Sequence, residues 1–360
     1  MTHKCEAVID LNSIKDNYKI ACSLAPDSKS IAVIKADAYG HGAVQVTKAL
    51  EGITSAFAVA IIDEAIELRD AGITKMILVM EGVDGVEDLK CAAKNELSVV
   101  VHNESQLLDL ENASLPNPVN VWLKVDTGMH RLGIEPNKVE DAVTRLRASR
   151  NCNPSLVVCT HLASSEDIHS KITDKQINKF DSYVSNLNVI ESIANSGAIL
   201  GSPSSHRDWN RPGYLIYGYT PFEDDREKIY GLKPAMTLKS EVIAIREILA
   251  GETVGYGGRW TAKDRSIIAT VAIGYADGYP RHAVNGTPTL VNGKIAPLVG
   301  AVSMDMITVD ITNVGEVKIG DQVVLWGPNL SVNHVAKLSS TIGYELMTGL
   351  TRRVTRRYLK

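Results

Sequence analysis

The rhythm of the first two thirds of this chain most constrains its fold. Short apolar, β-rich runs recur at Ile31–Ile34, Phe57–Ala60, Met76–Val79, Leu97–Val101, Val119–Val125 and Leu156–Cys159. Between them lie stretches with apolar residues at helical spacing. These are Asp63–Gly72, which ends on a glycine suited to a C-cap, Asn137–Ser149 and Lys171–Leu187. Near-continuous apolar strands separated by helices imply a parallel sheet covered by helices. About eight such units before residue 230 predict an α/β fold, a closed (β/α)8 TIM-like barrel. An open doubly wound sheet also satisfies the pattern alone. In a barrel, chemistry gathers at the C-terminal strand ends. Lys35, Lys124 and His161 fall there.

After about Gly231 the texture changes. Leu238–Ile245, Ser266–Ile273, Pro288–Val299, Ile307–Ile311 and Asp321–Gly327 read as strands, with few helical stretches between them. Asn292-Gly293 between β runs signals a two-residue type I′ hairpin. The basic end, Thr351–Lys360, alternates as a strand would, and reads as a solvated sheet edge. A chain of 360 residues exceeds one usual core. Two domains are therefore expected: a barrel over residues 8–230 and a mostly β C-terminal domain over 231–360, with residues 1–7 pairing with the latter.

The net charge of −4 gives no electrostatic case for nucleic acid or an anionic membrane as partner. No apolar run approaches the length of a bilayer span. The N-terminus, Met1-Thr2-His3-Lys4-Cys5-Glu6, has no apolar export segment. Five scattered cysteines without metal-ligand spacing read as reduced thiols. The expectation is a cytoplasmic protein without a metal.

Several segments could carry chemistry. Ala32–Gly42 ends a β-branched run on Lys35 and follows it with a small-residue, aromatic, double-glycine turn. A lysine with its stem in an apolar wall can lose its proton and form a Schiff base with an aldehyde cofactor. Val121–Gly133 places Lys124 at a strand end and Arg131 seven residues later, and Thr160-His161-Leu162 places a histidine at another. Asn195-Ser196-Gly197 and Asn210-Arg211-Pro212-Gly213-Tyr214 are loops whose backbone N–H groups can hold phosphate. Gly255-Tyr256-Gly257-Gly258 and Gly274–Tyr279 present tyrosines on glycine-rich turns. Singly, each has an ordinary structural explanation.

Together, from about Ala7 to Tyr358, they resemble the alanine racemase family. The lysine undecapeptide, L-K-V-D-T-G-M-x-R-L-G, R-P-G, V-G-Y-G-G, I-G-Y-A-D-G-Y and S-M-D-M occur in family order. The resemblance implies a pyridoxal 5′-phosphate enzyme with a cofactor-binding barrel and a β domain, paired head-to-tail into a homodimer with shared active sites. It would interconvert L- and D-alanine, supplying D-alanine for peptidoglycan. By the same resemblance, Lys35 is the Schiff-base lysine and one base, and Tyr256 from the other subunit is the second. Racemisation needs such a pair, one group on each face of a planar carbanion. At least one of two groups that normally titrate near pH 10 must then be lowered.

Arg211 resembles the arginine facing the pyridine nitrogen, which keeps the ring a weaker electron sink than an aspartate would. His161 resembles the residue that packs on the ring and bonds Arg211. Tyr39, Asn195, Ser196, Gly213 and Tyr214 fall on the cofactor-binding positions. Arg131 matches the arginine near the cofactor's phenolic oxygen and the substrate carboxylate. Lys124 matches a lysine carbamylated in many members, whose anion would orient Arg131. Met304 and Asp305 match partner-subunit residues of the carboxylate pocket, and Tyr275 and Arg281 match the entry corridor.

The chain departs from the pattern at Ala301, an arginine in many members, at Tyr214, more commonly aliphatic, and at Arg352, a tyrosine in some. These changes leave a broader-specificity, serine or basic amino-acid racemase as an alternative. A decarboxylase on the same plan is disfavoured, because its Gly-Gly-Gly phosphate loop and C-terminal cysteine donor are missing. A non-catalytic cofactor carrier would lack the β domain.

Overall fold

The computed structural model describes residues 4–222 and 229–360. The chain forms two compact bodies. One comprises Ile14–Ala38 and Gly42–Lys233. The other gathers the N-terminal residues through Ser13, the short insert Tyr39–His41, and Pro234–Lys360.

After β1 (Glu6–Asp10), which belongs to the other body, eight strands build the first body. They are β2 (Lys29–Val33), β3 (Ala56–Val59), β4 (Met76–Val79), β5 (Ser98–Val101), β6 (Asn120–Lys124), β7 (Val157–Cys159), β8 (Ile190–Ser192) and β9 (Trp209–Asn210). They are parallel and run in the order β8-β7-β6-β5-β4-β3-β2-β9, with Val33 opposite Ala58 and Lys124 opposite Cys159. An Asn195–Arg211 bridge joins the regions beyond β8 and β9, so the barrel is nearly closed. All four residues of β3, β5 and the core of β6 are buried, as strands covered on both faces require.

The helices follow the periodic segments closely. Ile62–Asp70 ends at Ala71-Gly72, where Gly72 takes φ +89°. Val139–Ala148 and Lys171–Val184 follow the other two, and Ser170 caps the latter by accepting the Ile172 N–H.

The second body is mostly β. Its strands are β1, β10 (Met236–Ile248), β11 (Thr253–Val254), β12 (Trp260–Thr261), β13 (Ser266–Val271), β14 (Pro288–Val291), β15 (Lys294–Pro297), β16 (Ile307–Asp310), β17 (Gln322–Trp326) and β18 (Thr355–Leu359). The main sheet runs β15-β14-β17-β10-β1-β18. The long β10 shifts register between Val242 and Ala244 and thereby also pairs with β13. Asn292 (φ +50°) and Gly293 (φ +78°) connect β14 to β15, the positive pair that a type I′ turn demands. β18 pairs in parallel with β1 at the sheet edge. Two short helices, Val332–Lys337 and Gly343–Thr348, interrupt the β texture. No helix among the described residues is long and apolar enough to cross a membrane.

Candidate active site

Beyond β2, the chain enters an unusual turn. Ala36, Asp37, Ala38 and Tyr39 all take φ between +52° and +54°, and Gly40 follows at +79°. Left-handed geometry costs non-glycine residues roughly 1–2 kcal/mol each, so surrounding bonds must hold the segment. Glu64 Oε1 accepts the Ala36 N–H (2.7 Å) and Asp37 Oδ1 accepts the Ala43 N–H (2.7 Å). Within the second body, a Cβ on Gly40 would lie 2.1 Å from the Met347 carbonyl, so only glycine fits. The Tyr39 ring lies 5.9 Å from that of Tyr344, a residue that the sequence reading did not single out.

Lys35 opens this turn, partly buried at the barrel's C-terminal end. Burial, then the nearby Arg131, push its amine below the ordinary lysine range, while Glu81 and Glu64 oppose them. Lys124, the last residue of β6, is lowered first by burial and then by Arg211, Arg131 and Lys35, against the opposing influence of Cys159. His161, two residues beyond β7, is held well below its usual value by burial, then by Arg211, Lys124, Arg131 and Lys35. The structure thus gathers Lys35, Lys124, Arg131, His161 and Arg211 into one electropositive cluster. Among the described residues, neither the Lys35 nor the Lys124 side-chain amine hydrogen-bonds or pairs with a carboxylate.

Arg211 is buried and fully engaged. Its guanidinium donates to Ser192 Oγ (2.6 Å), the Thr160 carbonyl (2.5 Å) and the Ile193 carbonyl (3.0 Å). The expected bond to His161 is absent. The Thr160 carbonyl, one residue before His161, takes that place because a buried carbonyl must find a donor. Gln176, which the sequence reading also passed over, fastens the same loops. Its Nε2 donates to the His161 carbonyl (3.1 Å) and Thr127 Oγ1 (3.2 Å), and its Oε1 accepts the Ala163 N–H (2.8 Å). A buried glutamine at helical spacing reads as core filling, so no sequence signal marks it.

Ser196 starts the short helix Ser196–Gly201, capped by Asn195, whose Oδ1 accepts the Ala198 N–H (3.1 Å). Ser196 Oγ accepts the N–H groups of Gly213 (2.9 Å) and Leu215 (3.3 Å). Asn195, Ser196, Gly213 and Tyr214 therefore adjoin, and the buried Tyr214 ring packs on Tyr219.

The other candidates belong to the second body. Tyr256 stands on a turn with φ +74° at Gly255 and +71° at Gly257, and is 72% exposed. Met304 is 53% and Tyr275 39% exposed. Their loops are joined: the N–H groups of Tyr275 and Ala276 donate to the carbonyls of Ser303 (3.0 Å) and Met304 (2.9 Å). Arg353 bridges Asp305 (2.8 Å) to the fully buried Asp277 (2.9 Å). Arg281 and Ala301 line one surface groove with Arg259 and His282. Arg352 is exposed near the start of the basic end.

Amines and guanidinium groups gathered at the strand ends of a parallel barrel mark a barrel enzyme with an electropositive mouth. Known proteins agree on which one. The family model described as alanine racemase, N-terminal domain, matches residues 9–221, and that for the C-terminal domain matches 235–358. The alanine racemase of Actinobacillus succinogenes is 46% identical over 352 residues, covering 98% of both chains. The crystal structure of the biosynthetic alanine racemase from Pseudomonas aeruginosa superimposes with a TM-score of 0.97 at 42% identity, covering 100% of each chain. The Bartonella henselae alanine racemase, crystallised with covalently bound pyridoxal phosphate, gives a TM-score of 0.88 at 29% identity over 99% of each chain. The chain belongs to the alanine racemase family: it is an amino-acid isomerase, and its reaction is the racemisation of alanine.

Proposed function

We propose that this enzyme racemises alanine with pyridoxal 5′-phosphate by a two-base mechanism, using Lys35 and Tyr256 of the partner subunit. The observation that carries this reading is the Lys35 amine itself: partly buried at a strand end, bonded to no carboxylate among the described residues, and tilted by its surroundings toward the neutral, nucleophilic form. The covalently bound cofactor of the Bartonella henselae relative supports it.

The donor set fits the cofactor. Lys35 would hold its aldehyde carbon. Ser196, Gly213, Tyr214 and Tyr39 would hold its phosphate, with Asn195 seating the loop. His161 would lie against the ring, and Arg211, already fixed by three oxygens, would set a permanent cation at the ring nitrogen. When bound, pyridoxal phosphate supplies an electron sink conjugated with the substrate's Cα. Once displaced from the cofactor by the substrate's amine, Lys35 would take or return the proton on one face of that carbon, and the Tyr256 phenol of the partner subunit on the other. Arg131 would bind the substrate carboxylate, with Met304 and Asp305 of the partner subunit completing that pocket and Tyr275 walling the approach.

Lys124 is the natural site for carbamylation. A neutral amine adds carbon dioxide and releases a proton, and the resulting anion would face Arg131 and relieve the like-charge cluster. A homodimer with shared sites is supported by the exposure of Tyr256, Met304 and Tyr275, large side chains that a second copy would cover. The biosynthetic role of the Pseudomonas aeruginosa relative supports D-alanine supply for peptidoglycan. Five free thiols support a cytoplasmic setting.

Borohydride treatment followed by peptide mapping tests the assignment. Reduced cofactor should appear on the peptide carrying Lys35, and reduced cofactor on any other lysine would overturn it.

A further inference from the structure

Lys35 leads into Ala36–Tyr39, the one consecutive run of non-glycine left-handed residues among those described. Glu64, in the first turn of the helix Ile62–Asp70, grips the start of that run. Its Oε1 accepts the Ala36 N–H at 2.7 Å, while Oε2 accepts the N–H groups of Ala60 at 2.7 Å and Ile61 at 3.4 Å. Ala36 follows β2 and Ala60 follows β3, and the two strands are neighbours in the barrel. One carboxylate therefore ties two strand ends together at the residue after the lysine.

We propose that Glu64 is a positioning residue for Lys35: by locking the left-handed turn to the end of β3, it fixes the direction in which the Lys35 amine leaves the barrel. This rests on the reading of Lys35 as the cofactor-carrying base. A strained turn relaxes unless its surroundings over-determine it, and the Ala36 N–H is the first donor the turn presents. Glu64 also contributes charge. The groups facing Lys35 are Arg131 from the loop beyond β6, Lys124 at the end of β6, His161 beyond β7, Glu81 beyond β4, and Glu64 itself. The cations favour the neutral amine and the two carboxylates restrain them.

Glu64 sits where a helix-capping residue would, bonded to the Ile61 N–H, so a merely structural role needs separating. Glutamine serves equally well at that capping position. Its single carbonyl oxygen, however, cannot take the place of two carboxylate oxygens reaching opposite ways. In Glu64→Gln the cap persists while the hold on Ala36 and the charge are lost. The readout is the pH dependence of acylation of Lys35 in the cofactor-free protein, followed on its own peptide by mass spectrometry, together with kcat and KM for alanine. The labelling midpoint should move to lower pH, and kcat should fall roughly 10- to 100-fold, the scale of an ångström-level misplacement. Wild-type labelling and wild-type kcat in Glu64→Gln would overturn the proposal. If that variant does not fold, Glu64→Asp replaces it. It keeps the charge but is one methylene too short to span both strand ends, so a lowered kcat supports the role and an unchanged one overturns it. Lys35→Ala runs alongside: if it still binds cofactor covalently and racemises alanine, the reading of Lys35 fails, and that outcome is distinct from failure of the Glu64 proposal.

Discussion

Replacing Arg211 with methionine tests how the barrel's charged floor is held together. Methionine keeps an unbranched apolar stem and loses every donor. Two buried carbonyls, those of Thr160 and Ile193, then lose the guanidinium bonds at 2.5 and 3.0 Å, whereas Ser192 keeps its own bond to the Trp209 carbonyl. Orphaning a buried acceptor costs about 1–3 kcal/mol, so the two together cost roughly 2–6 kcal/mol. Against this stands relief from burying a cation beside Lys124 and His161. The net loss should be about 2–3 kcal/mol, a fall of roughly 5–10 °C in melting temperature.

A second signature separates charge from packing. In the wild type, the folded state holds His161 neutral far below the ordinary histidine pKa, first through burial and then through Arg211. The unfolded chain takes up that proton near pH 6.5 and the folded one does not. Stability therefore falls with acidification below about pH 6.5, at up to about 1.4 kcal/mol per pH unit from this group. Without Arg211 the His161 pKa rises toward its usual value, so that slope should flatten. Thermal melts of both proteins between pH 7.5 and about pH 5 measure both effects. An Arg211→Met protein with wild-type melting temperature and unchanged slope would refute the reasoning.

Other perturbations follow from the same geometry. At Gly133 (φ +135°) a Cβ would lie 2.5 Å from the Asp126 backbone nitrogen. Gly133→Ala should thus cost about 2–3 kcal/mol by melting and, by shifting the Arg131 loop, raise KM for alanine. Arg353→Met strips the buried Asp277 of its cation and frees Asp305. Because Arg353 is itself 40% exposed, the loss of stability should be small, with KM rising more than kcat falls. Tyr256→Phe removes one base only: deuterium from solvent should enter just one of the two alanine enantiomers at Cα, as NMR of the recovered substrates would show.

The fold was legible where burial writes a plain pattern. β3 to β7 are apolar on both faces, and the helices between them keep their period. The Asn292-Gly293 hairpin declared itself through turn chemistry. β8 and β9 did not: Ile190-Glu191-Ser192 and Trp209-Asn210 are short, partly polar, and defined by the ladder they join rather than by their own composition. The helices Val332–Lys337 and Gly343–Thr348 span only six residues each, too few for a period to show. Chemistry-bearing side chains at strand ends, Lys35, Lys124 and His161, were legible because the alternation places strand ends, whereas Arg211 stood out only through its Pro-Gly loop. The supports were not. Glu64, Gln176 and Tyr344 act through bonds or packing between segments distant in sequence. The left-handed run at Ala36–Tyr39 has no local signature, since three of its residues are of types that ordinarily prefer the right-handed region.

Mixing two inactive variants tests the shared site most directly. Lys35→Ala supplies an intact Tyr256, and Tyr256→Phe supplies an intact Lys35. If each site takes its lysine from one subunit and its tyrosine from the other, a hybrid dimer contains one fully wild-type site. Random exchange of equal amounts should then restore about a quarter of wild-type alanine racemisation, because half the dimers are hybrids and each carries one working site of two. Recovery near that level is the predicted result. A mixture that exchanges subunits and stays as inactive as its parents would contradict the account.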